Sequence, residues 1–171
     1  MPKRRLKELQ RRILSEVLDK IPAHPDAHGF VKRRSITTFA GPHADKFVVL
    51  RLDLQDFFPA FPAARVHALF RTLGYPESVA ARLGGICTSA VPRAAWKTCP
   101  LEISPTEWQE TQGLYARSHL PQGAPTSPSL ANMMAYRWIA GYPASRNLPA
   151  PSIHATPTTS PSLVRRRSPA P

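Results

Sequence analysis

At 171 residues, with Lys and Arg outnumbering Asp and Glu 23 to 11, the chain is long enough for one domain with a core of its own and carries a formal charge of +12. So basic a protein calls for a polyanionic partner, nucleic acid first, because neutralising phosphates with Lys and Arg dominates such affinity. No apolar run approaches the ~20 residues of a membrane-spanning helix, the N-terminus lacks a signal-peptide apolar stretch, and Cys87 and Cys99 match no zinc spacing, so they read as thiols of a reducing cytoplasm rather than as a disulfide.

Residues 3–21 predict an amphipathic helix. Leu6, Leu9, Ile13, Leu14, Val17, Leu18 and Ile21 recur at helical spacing, Pro22 ends it, and the Arg and Lys opposite form either a solvated face or one that lies against nucleic-acid phosphates. Residues 22–45 are loop-rich and carry His24, His28 and His43, whose spacing fits no metal cage. Residues 46–54, Lys-Phe-Val-Val-Leu-Arg-Leu-Asp-Leu, predict a buried strand that runs into Asp53. A carboxylate at the end of a buried strand is costly unless a cation sits on it, which makes Asp53 the first candidate for metal-dependent chemistry.

Helices are expected at 62–74, on the stripe Val66, Leu69, Phe70 and Leu73 with Gly74 as C-cap, and at 77–90 behind Pro76, with Val79, Leu83, Ile86 and Cys87 inward. Residues 91–119 mix Pro, Trp and polar residues, and their Trp96 and Trp108 are expected to pack on the core rather than stack on bases. The Pro- and Gly-containing segment 120–128 reads as a turn. A helix follows over 129–137, with Ser127 as N-cap and Pro128 at its first position. No carboxylate follows Glu110, and residues 138–171 are Pro-rich and aperiodic, the composition of a disordered basic tail.

Two segments carry chemistry when taken together. LDLQDFFPAF, over 52–61, resembles the first palm motif of reverse transcriptases, and LPQGAPTSPSLAN, over 120–132, resembles their nucleotide- and template-facing loop and helix. HGFVKRRSI, over 28–36, is similar to the Gly-Phe-x-x-x-Arg-Ser segment of retron and group II intron enzymes. Phe39-Ala40-Gly41-Pro42-His43 matches the retron Asn-Ala-x-x-His signature at Ala40 and His43, with Phe39 in place of Asn. The resemblance covers residues 2–137 and is to bacterial retron-type reverse transcriptases. It implies an α+β fold, a partial fingers and palm of a right-hand polymerase over 1–137, followed by the tail at 138–171.

That resemblance implies roles. Asp53 would be the catalytic carboxylate, binding two Mg²⁺ ions with the Leu54 carbonyl completing one shell. Gln55 and Asp56 would turn backbone N–H groups toward the phosphates of the incoming nucleotide. Phe58 would lie under the sugar and exclude a 2′-hydroxyl, while Gln122 and Gly123 would cover the nucleotide and template. Lys32, Arg33, Arg34 and His43 would contact nucleic acid. The implied partners are a structured retron noncoding RNA as template, a primer, dNTPs and a retron effector protein, in antiviral defence. The reading requires Asp53 to be held beside the Gln122–Gly123 bend rather than in bulk solvent.

The family also carries a Tyr-x-Asp-Asp hairpin downstream of the Gln122–Gly123 segment, and no acid stands there. From Arg137 onward, joining each codon's last base to the next codon's first two lets Arg137–Tyr142 permit Leu-Asp-Arg-Arg-Leu. The same regrouping lets His154–Val164 permit Arg-Tyr-Ala-Asp-Asp-Leu-Thr-Phe-Ser-Gly. Residues 138–171 are accordingly expected to be an out-of-frame translation of a reverse transcriptase gene. The basic fingers segment with its Arg-x-Ile pattern does not precede Pro2-Lys3, so either the start is misassigned or the fingers are truncated, and the thumb is expected to be absent. The rival expectation is a non-catalytic RNA-binding remnant. A small basic structural protein has no use for PQGAPTSP beside a strand-end Asp.

Overall fold

A computed structural model describes residues 3–51, 53–96 and 104–141, with the backbone alone over 137–141. Six α-helices follow one another: α1 Arg4–Glu16, α2 Ile36–Ala40, α3 Ala63–Thr72, α4 Glu77–Cys87, α5 Pro105–Ala116 and α6 Ser127–Gly141. Short 3-10 turns occupy Leu18–Lys20, Gly41–His43 and Arg93–Ala95. None of the described helices is long and apolar enough to cross a membrane. The expected tail at 138–171 and Cys99 lie outside the described residues, except that α6 continues through Gly141, past the boundary expected at 137.

Helices form at all four expected places, because their hydrogen bonds are local and their apolar spacing gives each a face to bury, but the first ends at Glu16 with a 3-10 turn at Leu18–Lys20 rather than running to Pro22, and the third ends at Cys87 rather than 90. Gly74 adopts φ +91°, the left-handed C-terminal position that glycine occupies without strain. Details shift with packing. On α1, Ile13 is buried and Leu18 just beyond it fully so, but Leu6 and Leu9 remain substantially exposed. On α4 the inward stripe is Ala80, Gly84 and Cys87 rather than one through Val79, which is exposed. Small side chains let α3 approach closely: a Cβ on Gly84 would already touch the His67 backbone at 3.6 Å. Two further helices appear, α2 within the stretch expected to be loop-rich and α5 within 91–119, for which no element is expected. At each, a Ser–x–x–Thr or Ser–x–x–Glu capping box closes the first turn, Ser35 with Thr38 at α2 and Ser104 with Glu107 at α5. The two Ser104 hydrogen bonds, side chain first and backbone second, hold the Glu107 carboxyl below its ordinary range.

The core gathers Ile13, Leu18, Phe58, Phe61, Val66, Phe70, Ala80, Cys87, Leu120, Leu130 and Ala131. Backbone pairing fastens three distant segments around the buried His119. Ser89 and His119 exchange both N–H to carbonyl bonds, the Leu120 N–H donates to Phe61, and the Ala63 N–H donates to Ser118. Cys87 lies within this core as a free thiol, its pKa pushed up to about 11 by burial.

The strand expected at 46–54 is not formed, and no strand occurs among the described residues, so the structure does not supply the β part of the expected α+β fold. The physical reason is non-local. A strand's N–H and C=O groups need a neighbouring chain, and no described segment pairs with 46–51 or 53–54. Val48 and Leu50 are therefore 75% and 80% exposed, with Phe47 wholly so. Local propensity has marked a strand that the described fold leaves without a partner.

Candidate nucleotide and nucleic-acid cleft

An open cleft of about 370 Å³ has walls that come from four places in the sequence: Lys7 and Arg11 of α1, Phe30, Phe58, and the bend from Gln122 to Pro125 with Pro128. Each wall is fixed by identifiable contacts. Phe58 is 8% exposed and sits in a series of turns over 55–60, its ring 5.6 Å from Phe57, which in turn meets Phe61 edge-on at 5.1 Å. The Phe61 N–H donates back to the Phe58 carbonyl at 3.1 Å.

The bend is tied at its base. Ser127 Oγ donates to the Pro121 carbonyl at 2.7 Å, and the Ala124 N–H closes over the same carbonyl at 3.4 Å. Gly123 takes φ +84°, the third position of a turn that tolerates almost no other residue. The Ser127 hydroxyl therefore holds the bend rather than capping α6, and the Thr126 carbonyl accepts the Leu130 N–H as the helix begins. Phe30 is placed by the opposite side of α6: Asn132 Nδ2 donates to the Gly29 carbonyl at 2.9 Å, a buried bond across the molecule. Asn132→Ala leaves that buried carbonyl unpaired, and a loss of about 1–3 kcal/mol is expected in a thermal or urea melt.

The predicted site residues divide. Phe58, Gln122 and Gly123, expected to surround a nucleotide, do line one cleft. Asp53 and Leu54 do not join them: both are exposed, and neither lines this cleft. The requirement that Asp53 sit beside the bend is not met by the described residues, for the same reason that the strand carrying it is unpaired, so the meeting of Phe58 with Gln122 and Gly123, and not Asp53, is what supports a polymerase reading here. No group of three or more His, Cys, Asp or Glu side chains able to hold a metal occurs among the described residues.

Gln55 and Asp56 line a separate concavity with Glu107, Glu110, Thr111 and Leu114. Its carboxylates make it a poor phosphate site. Asp56 is engaged structurally: at φ +51° its Oδ1 accepts the Tyr115 hydroxyl at 2.8 Å, pinning the Phe58 turns to α5. Burial, then that hydrogen bond and the charge behind it, push Tyr115 up to about 12. A pKa raised on folding stabilises fully below the unfolded value near 10 and is lost as pH climbs through the folded value. Urea melts between pH 10 and 12 are therefore expected to show falling stability. Tyr115→Phe should flatten part of that fall, Cys87 supplying the remainder.

Of the basic residues expected on nucleic acid, Lys32 is engaged by Asp19 at 2.5 Å, while Arg33, at φ +63°, and Arg34 are exposed. His43 packs edge-on against Phe39 at 5.6 Å. None of the four lines the cleft. Trp96 and Trp108 meet each other edge-on at 5.1 Å, with Tyr115 6.1 Å from Trp96, so they form a satellite cluster rather than joining the main core. Lys7 and Arg11, on the basic face of the first helix, and Phe30, in the Gly-Phe-x-x-x-Arg-Ser-like segment, carry no individual role in the sequence but do line the cleft. The only available signal was the i, i+4 spacing of the two cations.

No protein-family model matches the chain. Curated proteins do. The retron Mx65 reverse transcriptase of Myxococcus xanthus is 45% identical over 143 residues, which is 80% of this chain and 30% of that protein. The retron Ec86 reverse transcriptase of Escherichia coli is 36% identical over 151 residues, 86% of this chain and 38% of that protein. The retron Mx162 reverse transcriptase of Myxococcus xanthus is 40% identical over 136 residues, 80% of this chain and 26% of that protein. The chain thus spans roughly a third of the length of these relatives, and the likeness implies a reverse-transcriptase-like polymerase fold. Over about four fifths of its length, the chain is a retron reverse-transcriptase-like sequence.

Proposed function

We propose that the chain is the nucleotide- and template-facing part, fingers and beginning of palm, of a retron-type RNA-directed DNA polymerase. One observation carries the reading. Phe58 from the first motif and Gln122–Gly123 from the second, far apart in sequence, meet in a single cleft beside two cations. In that cleft the Phe58 ring would pack under the sugar and leave no room for a 2′-hydroxyl, which selects deoxynucleotides by sterics. The tight bend at Gly123 would let backbone lie close over the base and template. The substrates would be dNTPs added to a primer on a structured RNA template, in the cytoplasm, with antiviral defence and an effector protein following from the retron likeness alone.

Asp53 would be one ligand of a Mg²⁺ centre that the described residues leave incomplete. We propose further that the other carboxylates are encoded out of frame within the stretch now read as 138–171. The nucleotide sequence past codon 137 tests this directly: a shifted frame that does not spell Tyr-Ala-Asp-Asp refutes it. The lone Asp53 favours a second reading for the chain as it stands, an RNA-binding remnant without chemistry. Primer extension separates the two. Incorporation of dNTPs that Asp53→Asn abolishes supports the polymerase, and salt-sensitive RNA binding without incorporation supports the remnant.

A further inference from the structure

One wall of the cleft belongs to neither motif. Phe30 is 55% exposed and stands at φ +57°, a backbone conformation that bulky L side chains rarely adopt. It is not a slack loop residue, because the buried Asn132–Gly29 bond fixes the residue before it. Its ring lies 6.5 Å from Phe58, tilted by 58°, with one side open to the cleft. A strained, half-exposed aromatic that is held in place gains little from the protein's own core, so its use is external.

The helix beside it shows a matching asymmetry. Two rows of side chains run along α1 at i, i+4 spacing. In one row, Arg4 pairs with Glu8 and Arg12 with Glu16, each at 3.3 Å, so the row neutralises itself. In the adjacent row, Lys3, Lys7 and Arg11 follow one another with no acid between them and no ion pair among the described residues. Like charges at this spacing destabilise a helix unless an anion lies across them. The row extends about 12 Å at 1.5 Å per residue, longer than the phosphates of one nucleotide need. Lys7 and Arg11 are the members that reach the cleft, next to Phe30.

Uncompensated cations along a groove with an exposed ring at its edge are the elements by which proteins seat a single nucleic-acid strand: phosphates follow the charges, and a base stacks on the ring. We infer that Phe30 with Lys3, Lys7 and Arg11 forms a binding subsite for single-stranded RNA, holding the unpaired template as it enters the Phe58–Gln122 cleft. That the strand is the template rests on the proposed polymerase reading; the binding itself does not.

The test is fluorescence anisotropy of a labelled single-stranded RNA oligonucleotide on the full chain across a salt series. Lys7→Gln with Arg11→Gln should weaken binding and lower the salt slope by roughly one to two. Phe30→Ala should weaken it about ten-fold with the slope unchanged. Phe30→Trp should bind like the parent and lose indole fluorescence when the oligonucleotide is added, beyond any change in the parent. That signal decides the matter even if Phe30→Ala unfolds by circular dichroism. Parental affinity in the charge variant, or no quenching in Phe30→Trp, overturns the subsite. A dNTP that quenches the indole alone, with the oligonucleotide inert, overturns it too, by assigning the ring to a mononucleotide. A chain that binds RNA in this way, yet never incorporates dNTPs after frame restoration, would retain the subsite while losing the polymerase reading.

Discussion

Restoring the reading frame after Arg137 is expected to turn a chain that incorporates no deoxynucleotide on a primed RNA template into one that does, and Asp53→Asn in the restored protein is expected to reduce that incorporation a thousand-fold or more. The argument is electrostatic. Two divalent cations ~4 Å apart repel by roughly 17 kcal/mol at an effective dielectric of about 20. A single carboxylate cannot hold such a pair, and no group of metal-ligating side chains stands ready among the described residues. Three carboxylates change the balance, which is why the Asp pair permitted by His154–Val164 in the shifted frame matters more than any single substitution. Primer extension on a short RNA template, with and without chelator, measures the outcome. A restored protein that folds but stays inert, or one indifferent to Asp53→Asn, would remove Asp53 from the chemistry.

The second large effect concerns stability, and pairs a core residue with an exposed run. Phe61 is 1% exposed, meets Phe57 edge-on, and its carbonyl accepts the Leu120 N–H, so it joins the Phe58 turns to the segment leading into the bend. Phe61→Ala removes a buried ring and leaves a cavity, a loss of about 3–5 kcal/mol. In a domain this small, that is a large share of total stability, and the thermal melt should collapse or broaden. Leu50→Ala, by contrast, is expected to change stability by less than about 0.5 kcal/mol, because Leu50 is 80% exposed and touches no core. A large cost at Leu50 would mean that the 46–54 segment is paired in solution after all.

The same exposed run defines a liability. Phe47, Val48, Val49 and Leu50 form an apolar, β-prone stretch in water, the kind of segment that pairs with another chain. Concentration-dependent aggregation is its natural consequence, and Arg51 is the adjacent charge that opposes it.

Local chemistry was legible in the residues alone. Helices α1, α3, α4 and α6 follow from apolar spacing, Pro placement and Gly74, because a helix bonds to itself within four residues. The need for glycine at 123 follows from the turn it makes. The capping boxes at Ser35 and Ser104 are local too, each closing within four residues. What depends on distant partners was decided only by the tertiary structure. The 46–54 strand has the right side chains, but its hydrogen bonds belong to a neighbour that the described fold does not provide, so Asp53 stands in solvent. That the Asp56 carboxylate is held by Tyr115, far along the chain, is likewise a matter of packing that no local pattern shows. Lys7 and Arg11 belong to a basic helix face that spacing alone leaves either solvated or facing phosphates, and only folding sets them beside Phe30, Phe58 and the Gly123 bend. Spacing along a chain determines which way a helix faces. What it faces is set by packing between segments, where burial and charge are shared among residues that no local pattern connects.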